Sequence, residues 1–115
     1  MLENFGIGID IVNIKRFKNL PYRKNKSFYE KIFHPSEIKY CLKYKDPSKH
    51  FAGKFAIKES TIKSIKEKAS MLDIKTSYHY SKPIVRLLNN ENYNFLVSLS
   101  HENEFAIAVV VSIKN

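Results

Sequence analysis

Strand-like alternation at both ends of the chain and helical periodicity in its middle predict an α+β protein, an antiparallel sheet with a long central helix. Three segments carry that prediction. Residues 5–12 place Phe5, Ile7, Ile9 and Ile11 on one side and Gly6, Gly8, Asp10 and Val12 on the other. Residues 50–69 repeat apolar side chains at Phe51, Phe55, Ile62, Ile65 and Ala69, one stripe of a helix. Residues 95–100 and 105–113 are apolar runs joined by the polar turn His101-Glu102-Asn103-Glu104, the pattern of an antiparallel hairpin.

In chain order, residues 5–12 read as a strand with one packed face. Its two glycines weaken it as a strand and mark a place where another group comes close. Asp10 shares their side and needs a partner, because an unpaired buried carboxylate is costly. Residues 13–20 form a short basic helix or turn, and residues 21–26 a charged loop. Residues 27–33 and 36–44 are two helical pieces, with Pro35 near the start of the second. Pro47 and its polar neighbours make residues 45–49 a connection. On the long helix that follows, Ala52, Ala56, Glu59 and Lys63 form a second face, about 100° from the apolar stripe. Two small residues there leave room beside an acid and a base. Residues 74–80 alternate as a strand, 83–88 suit another, and 89–94 are a polar turn before the closing hairpin.

With 115 residues the chain is sized for one domain over 1–115, which buries only about two-thirds of its unfolded surface. A deep cleft is hard to build from so little protein, so an active site is expected at a subunit interface. Twenty Lys and Arg against eleven Asp and Glu give a formal charge of +9. That excess points to an anionic partner without choosing among nucleic acid, anionic lipid, a phosphorylated small molecule and an acidic protein. No apolar run approaches the roughly 20 residues of a membrane span, and residues 1–12 do not read as a signal peptide. The single cysteine, Cys41, excludes an internal disulfide and favours a reducing, cytoplasmic setting. It is expected as a small core residue.

Three clusters carry candidate chemistry. The first is Gly8-Ile9-Asp10-Ile11-Val12, with Arg16 six residues after the aspartate. The second is Phe51-Ala52-Gly53-Lys54-Phe55-Ala56-Ile57-Lys58-Glu59-Ser60, followed by Lys63. The third is Ser98-Leu99-Ser100-His101. Each alone has an ordinary reading: a capping aspartate, a surface Glu59–Lys63 pair at i,i+4, a structural histidine. A basic nucleic-acid-binding module, using seven tyrosines for stacking, is the rival from another class. It leaves Asp10, Glu59 and the Ser-x-Ser-His run unexplained.

Together and in this order the clusters resemble the holo-acyl-carrier-protein synthase family of phosphopantetheinyl transferases, over residues 5–113. That family opens with a Gly-Ile-Asp strand, has a central Phe-Ala-x-Arg-Phe-Ala-x-Lys-Glu-x-x-x-Lys helix, and closes with Ser-x-Ser-His. The resemblance implies transfer of 4′-phosphopantetheine from coenzyme A to a serine of an acidic acyl carrier protein, in fatty acid biosynthesis. It implies that Asp10 and Glu59 bind magnesium against the coenzyme A pyrophosphate. Glu59 would take the serine proton, directly or through a water on the metal, and Lys63 would stabilise the departing 3′,5′-ADP. Lys54, Lys58, Lys63, Pro83, Ser98, Ser100 and His101 match positions that line the coenzyme A site. Arg16 matches a carrier-docking arginine; Lys15, Arg23, Lys24 and Lys26 join it by proximity. The family also implies a homotrimer with coenzyme A between neighbouring subunits, and neither a nucleic-acid nor a membrane partner.

The sequence departs from the pattern at four positions. Lys54 replaces an arginine and loses its bidentate fork. Ser60 replaces an alanine. Ser81 replaces the glycine two before Pro83, which alters the expected turn. Glu102 replaces a threonine and must point away from phosphates or pair with a lysine. The stretch between Lys66 and Ile74 also lacks the family's glycines, so a reshaped loop is expected there. These substitutions keep open an inactive homologue that serves as a binding protein.

Overall fold

Nine residues, Phe5–Asn13, form β1, the edge strand of the larger sheet, in this computed structural model, which describes residues 2–115. Met1, the first residue of the expected 1–115 domain, lies outside the described residues. Four helices follow: α1 (Lys15–Lys18), α2 (Lys26–Glu30), α3 (Pro35–Leu42) and α4 (Pro47–Ser64). Then come β2 (Ile74–His79), β3 (Lys82–Leu87), β4 (Tyr93–Glu102) and β5 (Phe105–Lys114). Pro35 and Pro47 open α3 and α4, where a missing N–H costs nothing.

The strands make two antiparallel sheets rather than the one expected. β1, β5 and β4 form a three-stranded sheet in that order, and β2 pairs with β3. In the larger sheet Asp10 lies opposite Ala108, which in turn lies opposite Leu99. Helix α4 packs across this sheet. Gly6 and Gly8 allow the approach, since a Cβ on Gly6 would lie 1.8 Å from the Ser64 carbonyl oxygen and one on Gly8 1.9 Å from that of Ser60. The packed side of β1 is therefore the glycine, aspartate and valine side. Ile7, Ile9 and Ile11 remain 69%, 59% and 59% exposed on the other side. Alternation in the sequence separates the two faces of a strand but does not say which one the core takes.

Helix α4 ends at Ser64, five residues before the expected end at Ala69. Ile65 is extended, and the Ser64 carbonyl accepts a 2.6 Å bond from the Ser112 hydroxyl of β5 instead of continuing the helix. Twelve of its eighteen residues are buried, because the sheet lies on one side and α1 and α3 on others. Phe17, Tyr29, Phe33 and Phe51 form the aromatic centre, with the Tyr29 and Phe51 centroids 4.6 Å apart and Phe33 and Phe51 5.2 Å apart. Cys41 is fully buried, and desolvation pushes its thiol up to about 12. No helix among the described residues is long and apolar enough to cross a membrane.

Candidate active site

The close approach of β1 to α4 brings Asp10 to Lys63. β1 runs antiparallel to the helix, with Gly6 at Ser64 and Gly8 at Ser60. The Lys63 ammonium donates to the Ile9 carbonyl at 3.0 Å and to Asp10 Oδ1 at 3.4 Å. Asp10 retains 17% of its side-chain exposure and Lys63 52%. The pair is open to solvent and contributes little to stability, so a ligand can reach both groups. Glu59 stands one helical turn before Lys63 on the same flank of α4 and is half-buried. Lys63 thus meets Asp10 at the β1 edge of the sheet, with Glu59 on the same flank of the helix.

The remaining site candidates divide between two places. His101 is on the helix side of β4, where its Nε2 lies 3.3 Å from the Lys49 carbonyl and beside Gly53. Burial lowers its pKa, and the bond to Lys49 raises it only in part. His50, lowered by burial and by His101, stacks on Tyr44 at 3.7 Å between centroids. Ser98 and Ser100 alternate to the opposite, exposed side of β4, the side that carries Ile9 and Ile11 on β1. Glu102 shares that outer side, away from His101. β5 separates β4 from β1. A single copy therefore does not bring Ser98, Ser100 or His101 to Asp10. Pro83 is half-buried on β3, opposite Tyr78 in the smaller sheet.

Lys54 and Lys58 do not reach this group, and the expectation that they line a coenzyme A site is corrected. Lys58 is fully buried, and its ammonium donates to Glu37 Oε1 at 2.7 Å, to the Ile32 carbonyl at 2.8 Å and to the Met71 carbonyl at 3.1 Å. All three of its protons are used. Lys54 is 2% exposed, donates to the Thr76 hydroxyl at 3.0 Å and lies over the rings of Tyr40 and Tyr78. Residues four apart on a helix share a face, so the motif's charged residues form two pairs, 54/58 facing inward and 59/63 facing the sheet edge. Glu37 and Thr76 have no signal in the sequence, because nothing in it shows that α3 and β2 meet at Lys58. Of the basic candidates near the N-terminus, Lys15 pairs with Glu104 at 3.4 Å and the Arg16 guanidinium lies 4.9 Å from the Phe55 ring centre. Arg23, Lys24 and Lys26 are exposed around the turn before α2.

Residues 6–110 match the model of the 4′-phosphopantetheinyl transferase superfamily. The chain belongs to that superfamily. Among its relatives, the holo-[acyl-carrier-protein] synthase of Thermodesulfovibrio yellowstonii is 32% identical over 110 residues, which cover 92% of this chain and 96% of that one. The transferase fold is shared with the Helicobacter pylori holo-[acyl-carrier-protein] synthase solved in complex with coenzyme A. That structure is 40% identical with a TM-score of 0.79, over 92% of this chain and 98% of that one. The Bacillus anthracis synthase, solved with coenzyme A (3′,5′-ADP), is 31% identical with a TM-score of 0.80 and 96% coverage of both chains.

Asp10 and Glu59 offer hard oxygen donors, the kind that magnesium takes. Among the described residues no group of three or more His, Cys, Asp and Glu could hold a metal by itself. Asp10 and Glu59 fit an ion that takes one or two carboxylates and completes its shell with water and phosphate oxygens.

Proposed function

We propose that this chain is a holo-[acyl-carrier-protein] synthase. It transfers 4′-phosphopantetheine from coenzyme A to a serine hydroxyl of an acidic acyl carrier protein, releasing adenosine 3′,5′-bisphosphate. The observation that carries the reading is the Asp10–Lys63 contact, with Glu59 one turn away, in a chain whose relatives bear that activity. A nucleic-acid-binding module would have no use for two carboxylates at this edge. The chain would act in the cytoplasm, as one domain, in fatty acid biosynthesis.

Asp10 and Glu59 would hold magnesium, which supplies charge neutralisation to the pyrophosphate when bound. Glu59 would take the proton of the attacking serine, directly or through a water on the metal. Lys63, held by Ile9 and Asp10, can turn its exposed ammonium to the departing phosphate and balance the charge that develops there. These are positioning and electrostatic roles, as phosphoryl transfer requires.

The complete site would lie between copies in a homotrimer. The exposed row of Ile7, Ile9 and Ile11 continues across the sheet into Leu96, which is 64% exposed, and Phe105. Such a row is unusual on a free surface. Ser98 and Ser100 lie on the same side, so packing these faces together would carry them to a neighbouring copy. His101 follows on the same strand. Arg16, with Lys15, Arg23, Lys24 and Lys26, would dock the acidic carrier.

The test is release of adenosine 3′,5′-bisphosphate from coenzyme A with an apo carrier protein and magnesium. Release is expected with the intact carrier and not with a carrier whose acceptor serine is alanine. Equal release from both carriers, or none from either, would overturn the proposal.

A further inference from the structure

The inward half of the helix motif does more than fill the core. Glu37 accepts four hydrogen bonds. Its Oε1 takes the Lys58 ammonium at 2.7 Å and the His34 N–H at 2.7 Å. Its Oε2 takes the Thr76 N–H at 2.7 Å and the Thr76 hydroxyl at 2.6 Å. The Thr76 oxygen in turn accepts from Lys54. Lys58 also satisfies two carbonyls, that of Ile32 just after α2 and that of Met71 in the 3-10 turn before β2. Both Glu37 oxygens and all three Lys58 protons are used, and the two side chains have no exposure.

Burying such a pair carries a desolvation cost, and apolar residues of similar volume often replace one without loss of stability. Burial raises the Glu37 pKa and its bonds to Lys58, Thr76 and His34 lower it; the bonds prevail, and the carboxylate stays below its ordinary range. Burial lowers the Lys58 pKa, and Glu37 offsets this only in part. The network's position is informative. Lys58 immediately precedes Glu59. Its bonds reach α3, the segment after α2, the turn before β2 and β2 itself, all on the side of α4 away from the Asp10 edge. On the sheet side, the Ser60 hydroxyl of α4 donates to the Ala108 carbonyl at 3.1 Å, the Ser64 carbonyl accepts from the Ser112 hydroxyl at 2.6 Å, and Lys63 donates to the Ile9 carbonyl at 3.0 Å. The Lys58 bonds hold the other side of the helix, and the two sets together fix its rotation and with it where Glu59 and Lys63 point.

We infer that Glu37 and Lys58 are positioning residues for catalysis, a buried ionic strut that, with the sheet-side bonds, sets the rotation of α4 so that Glu59 presents its carboxylate beside Asp10. The inference rests on the proposed roles of Asp10 and Glu59. Both side chains of the strut are fully buried, so neither would touch coenzyme A or carrier. Its loss should act on the metal and on turnover rather than on coenzyme A affinity. Outer partners of metal-site groups typically change metal affinity or activity by about 10–100-fold when removed.

The experiment compares wild type, Glu59→Ala, Thr76→Val and the apolar pair Glu37→Leu with Lys58→Met. Each is measured for thermal midpoint, for kcat and KM toward coenzyme A, and for Mn2+ binding by water-proton relaxation in the presence of coenzyme A. The apolar pair is expected to stay folded, to lose about 10–100-fold in kcat and in Mn2+ affinity, and to change KM by less than about threefold. Thr76→Val removes the hydroxyl bond to Glu37 Oε2 and the bond that Lys54 donates to that hydroxyl, keeps the Thr76 N–H bond, and should shift the same two quantities in the same direction by less. An apolar pair that binds Mn2+ and turns over like wild type would overturn the inference while leaving the active site in place. If the pair does not fold, Thr76→Val decides: a lowered midpoint with unchanged kcat and Mn2+ binding would also overturn it. Normal turnover by Glu59→Ala would instead remove the site on which the inference rests.

Discussion

Gly8→Ala places a methyl group where the helix backbone already is. The added Cβ would lie 1.9 Å from the Ser60 carbonyl oxygen, 2.8 Å from its carbon and 3.0 Å from Lys63 Cβ. The first obstacle is backbone in the last turns of an 18-residue helix, so no rotamer change removes it. Reaching even a 3.0 Å contact requires β1 and α4 to separate by roughly 1.1 Å at that point. Overpacking of this kind costs about 1–3 kcal/mol. The separation falls where Lys63 bonds Ile9 at 3.0 Å and Asp10 at 3.4 Å, and stretches both beyond hydrogen-bond range. A displacement of about 1 Å among positioned groups can cost on the order of 100-fold in rate. The expected result is a folded protein, lowered in urea stability by about 1–3 kcal/mol, with transferase activity reduced about 100-fold. Gly53→Ala is the control. Its Cβ would meet only the ends of the Leu99 and His101 side chains, at 3.1 and 3.3 Å. It should cost little and recover up to about 1 kcal/mol of helix propensity. Gly8→Ala with wild-type stability and activity would refute the argument that these glycines set the site.

Three further outcomes follow from other parts of the structure. Ile7→Arg puts a charge in the exposed apolar row, and light scattering should show the proposed trimer replaced by monomers with activity lost; an unchanged trimer would remove this face as the interface. Tyr80 and Ser81 have φ of 50° and 67° in the two-residue β2–β3 turn, so Ser81→Gly should stabilise the protein by about 1 kcal/mol, read as a thermal midpoint about 4 °C higher. The folded-state pKa of Glu37 lies below its ordinary value near 4.5, so its stabilisation is complete above that value and is lost as pH falls through the folded-state pKa. Urea unfolding between pH 3 and 6 should therefore show an acid-side slope that is reduced in Glu37→Gln; identical slopes would contradict the strut's charge state.

Parts of the candidate site are legible in the sequence, and the reasons differ by residue. Gly6 and Gly8 on the side of Asp10 signalled a close approach, because only an absent side chain admits a helix backbone there. Glu59 and Lys63 were legible as one face because helical spacing fixes it. The charged rows at Lys54 and Lys58 were misleading. Their type suggests phosphate contacts, but their direction depends on α3 and β2, whose packing no local pattern reports. The isoleucine row of β1 leaves the side of the core open for a related reason. An apolar face that a second copy covers has the same pattern as one that the chain's own helix covers. The type I′ turn at Tyr80-Ser81 was hidden because neither residue is a usual carrier of positive φ.

The central claim is that Asp10 and Glu59 act together in arm transfer. It is tested by the mass of an apo carrier protein after incubation with coenzyme A and magnesium. Wild type should add the mass of one 4′-phosphopantetheine, while folded Asp10→Ala and Glu59→Ala each leave the carrier unmodified. An unmodified carrier with wild type, or full modification by either variant, would contradict the account.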